Sequence, residues 1–197
     1  QLRQTLAEQE DPSTKQGIVG AFCRTYDIPD AIDTFLSDVY TEFGKERYTY
    51  VPGSTSGGLV LYGDGKFAYS NHGTDPAAGQ LCNAFDLVRL HLFGDKDKGS
   101  KATNITHMPS YVAMCDLAVA DKQVKRQLAK ERASAAQDFA GEDLTQYADE
   151  DTSWQDNLEL SKKGKILPTR DNLVIILEHD PVLKLSLIHI SEPTRPY

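Results

Sequence analysis

The sequence is short of the features that would place it most simply. It has no long apolar stretch: the longest aliphatic run, Leu173–Leu177, falls far short of the ~20 residues that span a bilayer, so no membrane partner is expected. Its opening, QLRQTLAEQEDPSTK, lacks the basic, apolar and small-residue regions of a secretory signal. Cysteine is scarce and odd in number. Cys23, Cys82 and Cys115 lie far apart, which argues against a disulfide framework and points to a reducing cytoplasm. Positive charge is scarce too: 21 Lys and Arg stand against 29 Asp and Glu, for a net charge of −8 and a pI near 5.1. A broad basic surface for nucleic acid is thereby excluded, and any such contact must be local. The rest is ordinary. With 40% hydrophobic and 25% charged residues over 197 positions, the chain has the balance of one ordinary globular domain or two small ones. It begins at Gln1 rather than Met, as a piece of a longer protein would.

The last thirteen residues, LSLIHISEPTRPY, follow EHDPVLK abruptly. Read back into codons, Leu185 to Arg195 can be written as the transposon mosaic-end adapter used in preparing sequencing libraries. Residues 185–197 are therefore expected to be translated adapter, an artefactual tail outside any fold reasoning.

After a polar segment (1–16), the stretch from Ile28 places Ala31, Ile32, Phe35, Leu36 and Val39 at spacings of three and four, which predicts an amphipathic helix. Pro29 suits its first turn and Gly44 its stop. The next stretch is aromatic and β-branched, cut by glycines. Gly63-Asp64-Gly65 between Leu59–Tyr62 and Lys66–Ser70 predicts a β-hairpin. Asn83 should cap a helix in which Phe85, Val88 and Leu92 share one face and which ends at Gly94, and a longer helix is expected from Ser110 to about Arg132. An acidic linker (137–153) then leads to a small helical unit (154–184), in which Thr169 or Asp171 caps a helix with Leu173, Ile176 and Leu177 inward. The class is α+β, with residues 17–136 forming the larger unit.

Chemical motifs are sparse. Around the hairpin the only candidate metal ligands are His72, Cys82 and His91, with Asp75 a poor fourth. The corner VPGSTSGG holds no ligand type where a pair should sit, and His91 is expected to point away from the loop. A closed zinc site is not expected; Cys82 reads as a small apolar residue and His72 as a surface or binding residue. GDKDKGSK (94–101) imitates a phosphate-binding loop, but Ser100 precedes Lys101 and no strand precedes Gly94. Asp95 and Asp97 sit in a polar loop rather than on a rigid strand, and no G-x-S-x-G or Cys-His pairing is present. No catalytic residue is assigned. The candidate nucleic-acid-binding residues are Lys66, Tyr69, Asn71, His72 and Arg89, with Lys45 and Arg47 adding charge, because aromatics on a strand stack unpaired bases while basic groups hold phosphates. Packing of Phe67 and Tyr69 beneath the helix of Phe85 and Val88 is the plainer reading of the same two rings.

Three long phrases, GIVGAFCRTYDIPDAIDTFLSDVY, YVPGSTSGGLVLYGDGKFAYSNHGTDPAAGQLCNAFDLVRLHLFGD and WQDNLELSKKGKILPTRDNLVIILEHDPVLK, make the chain resemble the virulence-associated protein E family of phages and prophages. Its members are large replication proteins similar to primase–helicases. Within the same chain, DGKFAYSNHGTDPAAGQLCNAFDLV looks like a degenerate zinc ribbon of bacterial-type primases, departing from that pattern at nearly every ligand position. The resemblance implies a non-catalytic segment between a primase module and a P-loop ATPase, in the cytoplasm of a bacterial host cell. It implies contact with single-stranded or template DNA; ATP and Mg belong to other parts of the parent DNA primase or ATP-dependent helicase, and no cofactor is expected here. The other reading is an interaction module that docks a replication protein without touching DNA.

Overall fold

A computed structural model of the chain describes residues 6, 8–140, 153–180 and 183. The expected adapter tail and most of the acidic linker lie outside them. Among these residues the fold is α+β, a five-stranded antiparallel sheet with six α-helices, and the chain divides into two compact units after Val124. No helix among the described residues is long and apolar enough to cross a membrane.

In the first unit, helix α1 (Gly17–Thr25) and helix α2 (Ile28–Phe35) are separated by Tyr26 and Asp27. Asp27 caps α2, its carboxylate accepting from the Asp30 amide at 2.9 Å, with Pro29 in the first turn as expected. Ile18, Ala21, Phe22, Ile28, Ala31 and Ile32 are buried. The helix expected to run on to Gly44 stops at Phe35. Leu36 leaves helical geometry, and Tyr40–Glu42 forms strand β1, so Gly44 (φ +69°) serves a strand turn instead.

The sheet is a meander in the order β1-β2-β3-β4-β5, with β2 at Arg47–Tyr50, β3 at Leu59–Tyr62, β4 at Phe67–Ser70 and β5 at Leu81–Cys82. The Gly63-Asp64-Gly65 turn joins β3 to β4 as expected. All three residues have positive φ, and the Gly65 carbonyl accepts from the Ile28 amide, tying the turn to α2. Helix α3 (Ala84–Phe93) starts at Asn83, whose side chain accepts from the Asp86 amide at 2.9 Å, and buries Phe85, Leu87 and Val88.

The single helix expected from Ser110 is two: α4 (Pro109–Ala120) and α5 (Lys122–Ala140). Asp121 makes the break. Its backbone is extended, one carboxylate oxygen accepts from the Val124 amide as a new cap, and the other accepts from the Tyr26 hydroxyl. Asp97 is likewise structural rather than metal-like, accepting from the Ser110 amide (2.8 Å) and hydroxyl (2.6 Å) at the start of α4.

In the second unit, Thr169 caps helix α6 (Arg170–His179). Leu173 and Leu177 are not inward: they are 56% and 40% exposed. Asn172 is the inward residue instead. Its amide nitrogen donates to the carbonyls of Glu159 and Leu167, and its oxygen accepts from the Glu159 amide, all at 2.8 Å. Hydrogen bonding to the 158–168 segment, rather than apolar periodicity, therefore sets the rotation of this helix.

Candidate nucleic-acid interface

Residues directly opposite one another in an antiparallel pair share a face, and alternate residues along a strand switch faces. One face of the sheet carries Tyr40, Tyr48, Leu59, Leu61, Ala68, Ser70 and Cys82, all buried. Tyr40 and Tyr50 on this face lie against the His91 ring of α3, so it is the helix-covered one. The opposite face carries a row that crosses four strands, Arg47–Val60–Tyr69–Leu81, with Tyr62 and Phe67 in the next row. Arg47 is exposed; Val60, Tyr62, Tyr69 and Leu81 are half-buried. By register Phe67 and Tyr69 lie on the side away from α3, but Phe67 is itself buried (8% exposed), so of the two rings only Tyr69 is half-open there. It is Ala68 and Ser70 that face the helix.

The five residues proposed from sequence are not brought together. Tyr69 stands in the middle of the outer row. Asn71 is exposed beyond the end of β4, its side-chain amide donating to the Gly58 carbonyl at 3.1 Å. Lys66 is exposed but paired with Asp11, which holds that carboxyl down at about 2. Arg89 is only 5% exposed and donates to Asp86 Oδ1 (3.2 Å) and Ser110 Oγ (2.9 Å), with Asp97 3.8 Å away; it cross-links α3 to the start of α4. His72 is not a surface residue: it is 4% exposed, and Nε2 accepts from the Tyr50 amide at 3.4 Å. The VPGSTSGG corner wraps it. A Cβ on Gly58 would lie 2.4 Å from His72 Nε2, and one on Gly53 3.3 Å from Nδ1. The positive charge on the outer face belongs to Arg47, whose Nη1 donates to the Gly57 carbonyl at 3.2 Å.

Behind the sheet, where the ribbon-like pattern would place ligands, lies a closed hydrogen-bonded cluster. Asp75 Oδ2 accepts from Tyr40 Oη (2.7 Å) and Ser70 Oγ (2.6 Å), and Oδ1 accepts from the Ala77 amide (2.8 Å). His91 Nε2 sits 2.8 Å from Tyr40 Oη and 3.2 Å from Asp75 Oδ1, so His91 points into the loop, not away from it. Because the Tyr40 proton goes to Asp75, its oxygen is an acceptor toward His91, which puts a proton on Nε2. Burial alone would raise the Asp75 pKa; donors from His91, Ser70, the Ala77 amide and Tyr40 outweigh it and hold the carboxyl at about 2. The same burial and the adjacent carboxylate push the Tyr40 phenol up. Cys82 is also buried, which pushes its thiol up to about 12 and leaves it inert. Ser70 bonds to the carboxylate rather than to an imidazole, so the cluster lacks the nucleophile–base contact that acyl transfer needs. Among the described residues, no group of three or more His, Cys, Asp or Glu side chains is arranged to hold a metal ion.

Sequence reasoning placed Tyr40 in a helix tail and named Arg47 only as a supporting charge. The alternation Leu59-Val60-Leu61-Tyr62 carried the signal for the outer row, since it puts two apolar side chains inward and the other two outward. A scan of family models, a search of curated proteins and a search of solved structures each found no match for this chain.

Proposed function

We propose that the chain is a non-catalytic segment of a phage-type replication protein, of the primase–helicase kind, that lays single-stranded or template DNA across the outer face of its sheet. The observation that supports this most is the row Arg47–Val60–Tyr69–Leu81, with Tyr62 beside it. Half-buried tyrosines on an outward sheet face offer flat rings for unpaired bases, and a base stacked on such a ring contributes about 1–3 kcal/mol. Arg47 at the row's end can reach one phosphate. The chemistry-bearing side chains behind the sheet are occupied with one another, which suits a binding module better than an enzyme. Against a net charge of −8, affinity should be weak, on the order of 10⁻⁴ M.

Fluorescence anisotropy with a labelled oligothymidylate tests this directly. Binding should weaken with salt at a logarithmic slope of about −0.7 to −1.4, for one or two phosphates on a single strand. Tyr69→Ala and Arg47→Ala should each reduce it. Absence of binding, or binding untouched by both substitutions, removes this reading.

A second reading rests on helix α6, where Leu173, Val174 and Leu177 are 56%, 42% and 40% exposed. An apolar stripe of that kind suits docking of a replication partner without DNA contact. It gains if the oligonucleotide does not bind.

A further inference from the structure

In the second unit a cleft of about 370 Å³ lies between α5 and the turn that joins Leu160 to Ile166. Its lining is Leu128, Glu131 and Arg132 from the helix, and Gly164, Lys165 and Ile166 from the turn. The turn is well defined: the Ser161 amide donates to the Lys165 carbonyl (2.7 Å) and the Gly164 amide to the Ser161 carbonyl (2.8 Å). Gly164 (φ +76°) brings its backbone onto Leu128, where a Cβ would stand 3.1 Å from Cδ1.

Arg132, one of the residues lining this cleft, carries a polar atom without a partner. Arg132 Nη1 is buried and has no hydrogen-bond partner. Guanidinium nitrogens withdrawn from water are normally paired with a carboxylate, a phosphate or a carbonyl. Burial also pushes the guanidinium below its usual pKa, with the Glu131 charge opposing. Glu131 is itself an acceptor for Gln127 Nε2 at 2.9 Å.

We propose that the cleft binds a carboxylate carried on an aliphatic stem, the carboxylate paired with Arg132 beside Lys165 and the stem lying on Leu128 and Ile166. A planar guanidinium accepts a carboxylate through two parallel hydrogen bonds. A single negative charge is favoured over a phosphate dianion, because Glu131 stands at the same site and the remaining walls are apolar. The ligand is either a free aliphatic acid or a glutamate flanked by apolar residues in a peptide, which present the same chemistry.

The test is a titration of the full chain followed by the Arg132 Nε–Hε resonance, using hexanoate, acetate, inorganic phosphate and an N-acetylated, C-amidated peptide with one glutamate between two leucines. Hexanoate or the peptide should shift that resonance saturably and bind about tenfold more tightly than acetate, as burial of part of a four-methylene stem implies. Tighter binding of hexanoate identifies a free acid as the source, and tighter binding of the peptide a protein; either supports the site. Arg132→Leu should abolish the binding, read from the neighbouring amides, and Arg132→Lys should weaken it by losing the planar fork. If the Leu variant does not fold, the wild-type titration decides alone. A resonance unmoved by both probes overturns the proposal, as does phosphate binding as tightly as hexanoate or an unchanged response in Arg132→Leu.

Discussion

The Tyr40 hydroxyl donates to Asp75 Oδ2 at 2.7 Å, joining the first strand of the sheet to the loop after the fourth through a buried carboxylate. His91 from α3 completes the junction from the helix side. Three segments distant in sequence thus meet at one anion, which makes the stability of the first unit depend on acid.

Asp75 is ordinarily half-protonated near 3.8 and in the fold near 2, so its contribution to stability is full above about pH 4 and lost as pH falls through about 2. The shift corresponds to roughly 2 kcal/mol. Tyr40→Phe removes one donor, should cost about 1–2 kcal/mol, and should move the acid transition toward higher pH. Chemical denaturation repeated between pH 2 and 7 measures both effects; an unmoved transition would mean that the hydroxyl does not hold the charge.

Gly58→Ala should destabilise the first unit by about 1–3 kcal/mol, because the new methyl would stand 2.4 Å from His72 Nε2 and the ring must move. The shift of the His72 ring protons by NMR, measured beside the denaturation midpoint, distinguishes this local displacement from general unfolding.

Gly20 is the tightest glycine in α1. A Cβ there would lie 1.6 Å from the Lys15 carbonyl oxygen, a backbone atom that no rotamer change can move. Gly20→Ala should therefore cost about 3 kcal/mol, although alanine is the better helix former by about 1 kcal/mol. A gain in thermal stability would contradict this contact.

The second unit should be most sensitive at Asn172, which is 1% exposed. Asn172→Leu leaves the Glu159 amide and two carbonyls without their partner and should cost about 3 kcal/mol. Leu173→Asn, on the exposed side of the same helix, should change stability by less than about 0.5 kcal/mol. Differential scanning calorimetry of the two variants checks the contrast.

Local chemistry made much of this fold legible. The Gly63-Asp64-Gly65 turn and the caps at Asn83 and Thr169 are short-range devices, and each forms where its residues stand. Legibility failed where a distant partner decides the outcome. Tyr40 carries the same helical spacing as its predecessors, yet it pairs with Tyr50 in the sheet and with Asp75 in the core. Asp121 looks like any surface acid in a helix until its carboxylate turns to cap the next one. His91 sits on a helix with no sequence mark of Asp75, and Arg89, though three residues from Asp86, has none of Asp97 or Ser110. Arg47 reads only as a supporting charge for a related reason: its place in the outer row depends on register across four strands, which no local pattern encodes.

Amide chemical-shift mapping of the chain with an unlabelled oligothymidylate tests the DNA reading most directly. The account predicts graded shifts at Arg47, Val60, Tyr62, Tyr69 and Leu81 that fade as salt is raised, with Tyr40, Asp75 and His91 undisturbed. No shifts at saturating oligonucleotide, or shifts confined to other surfaces, would contradict it.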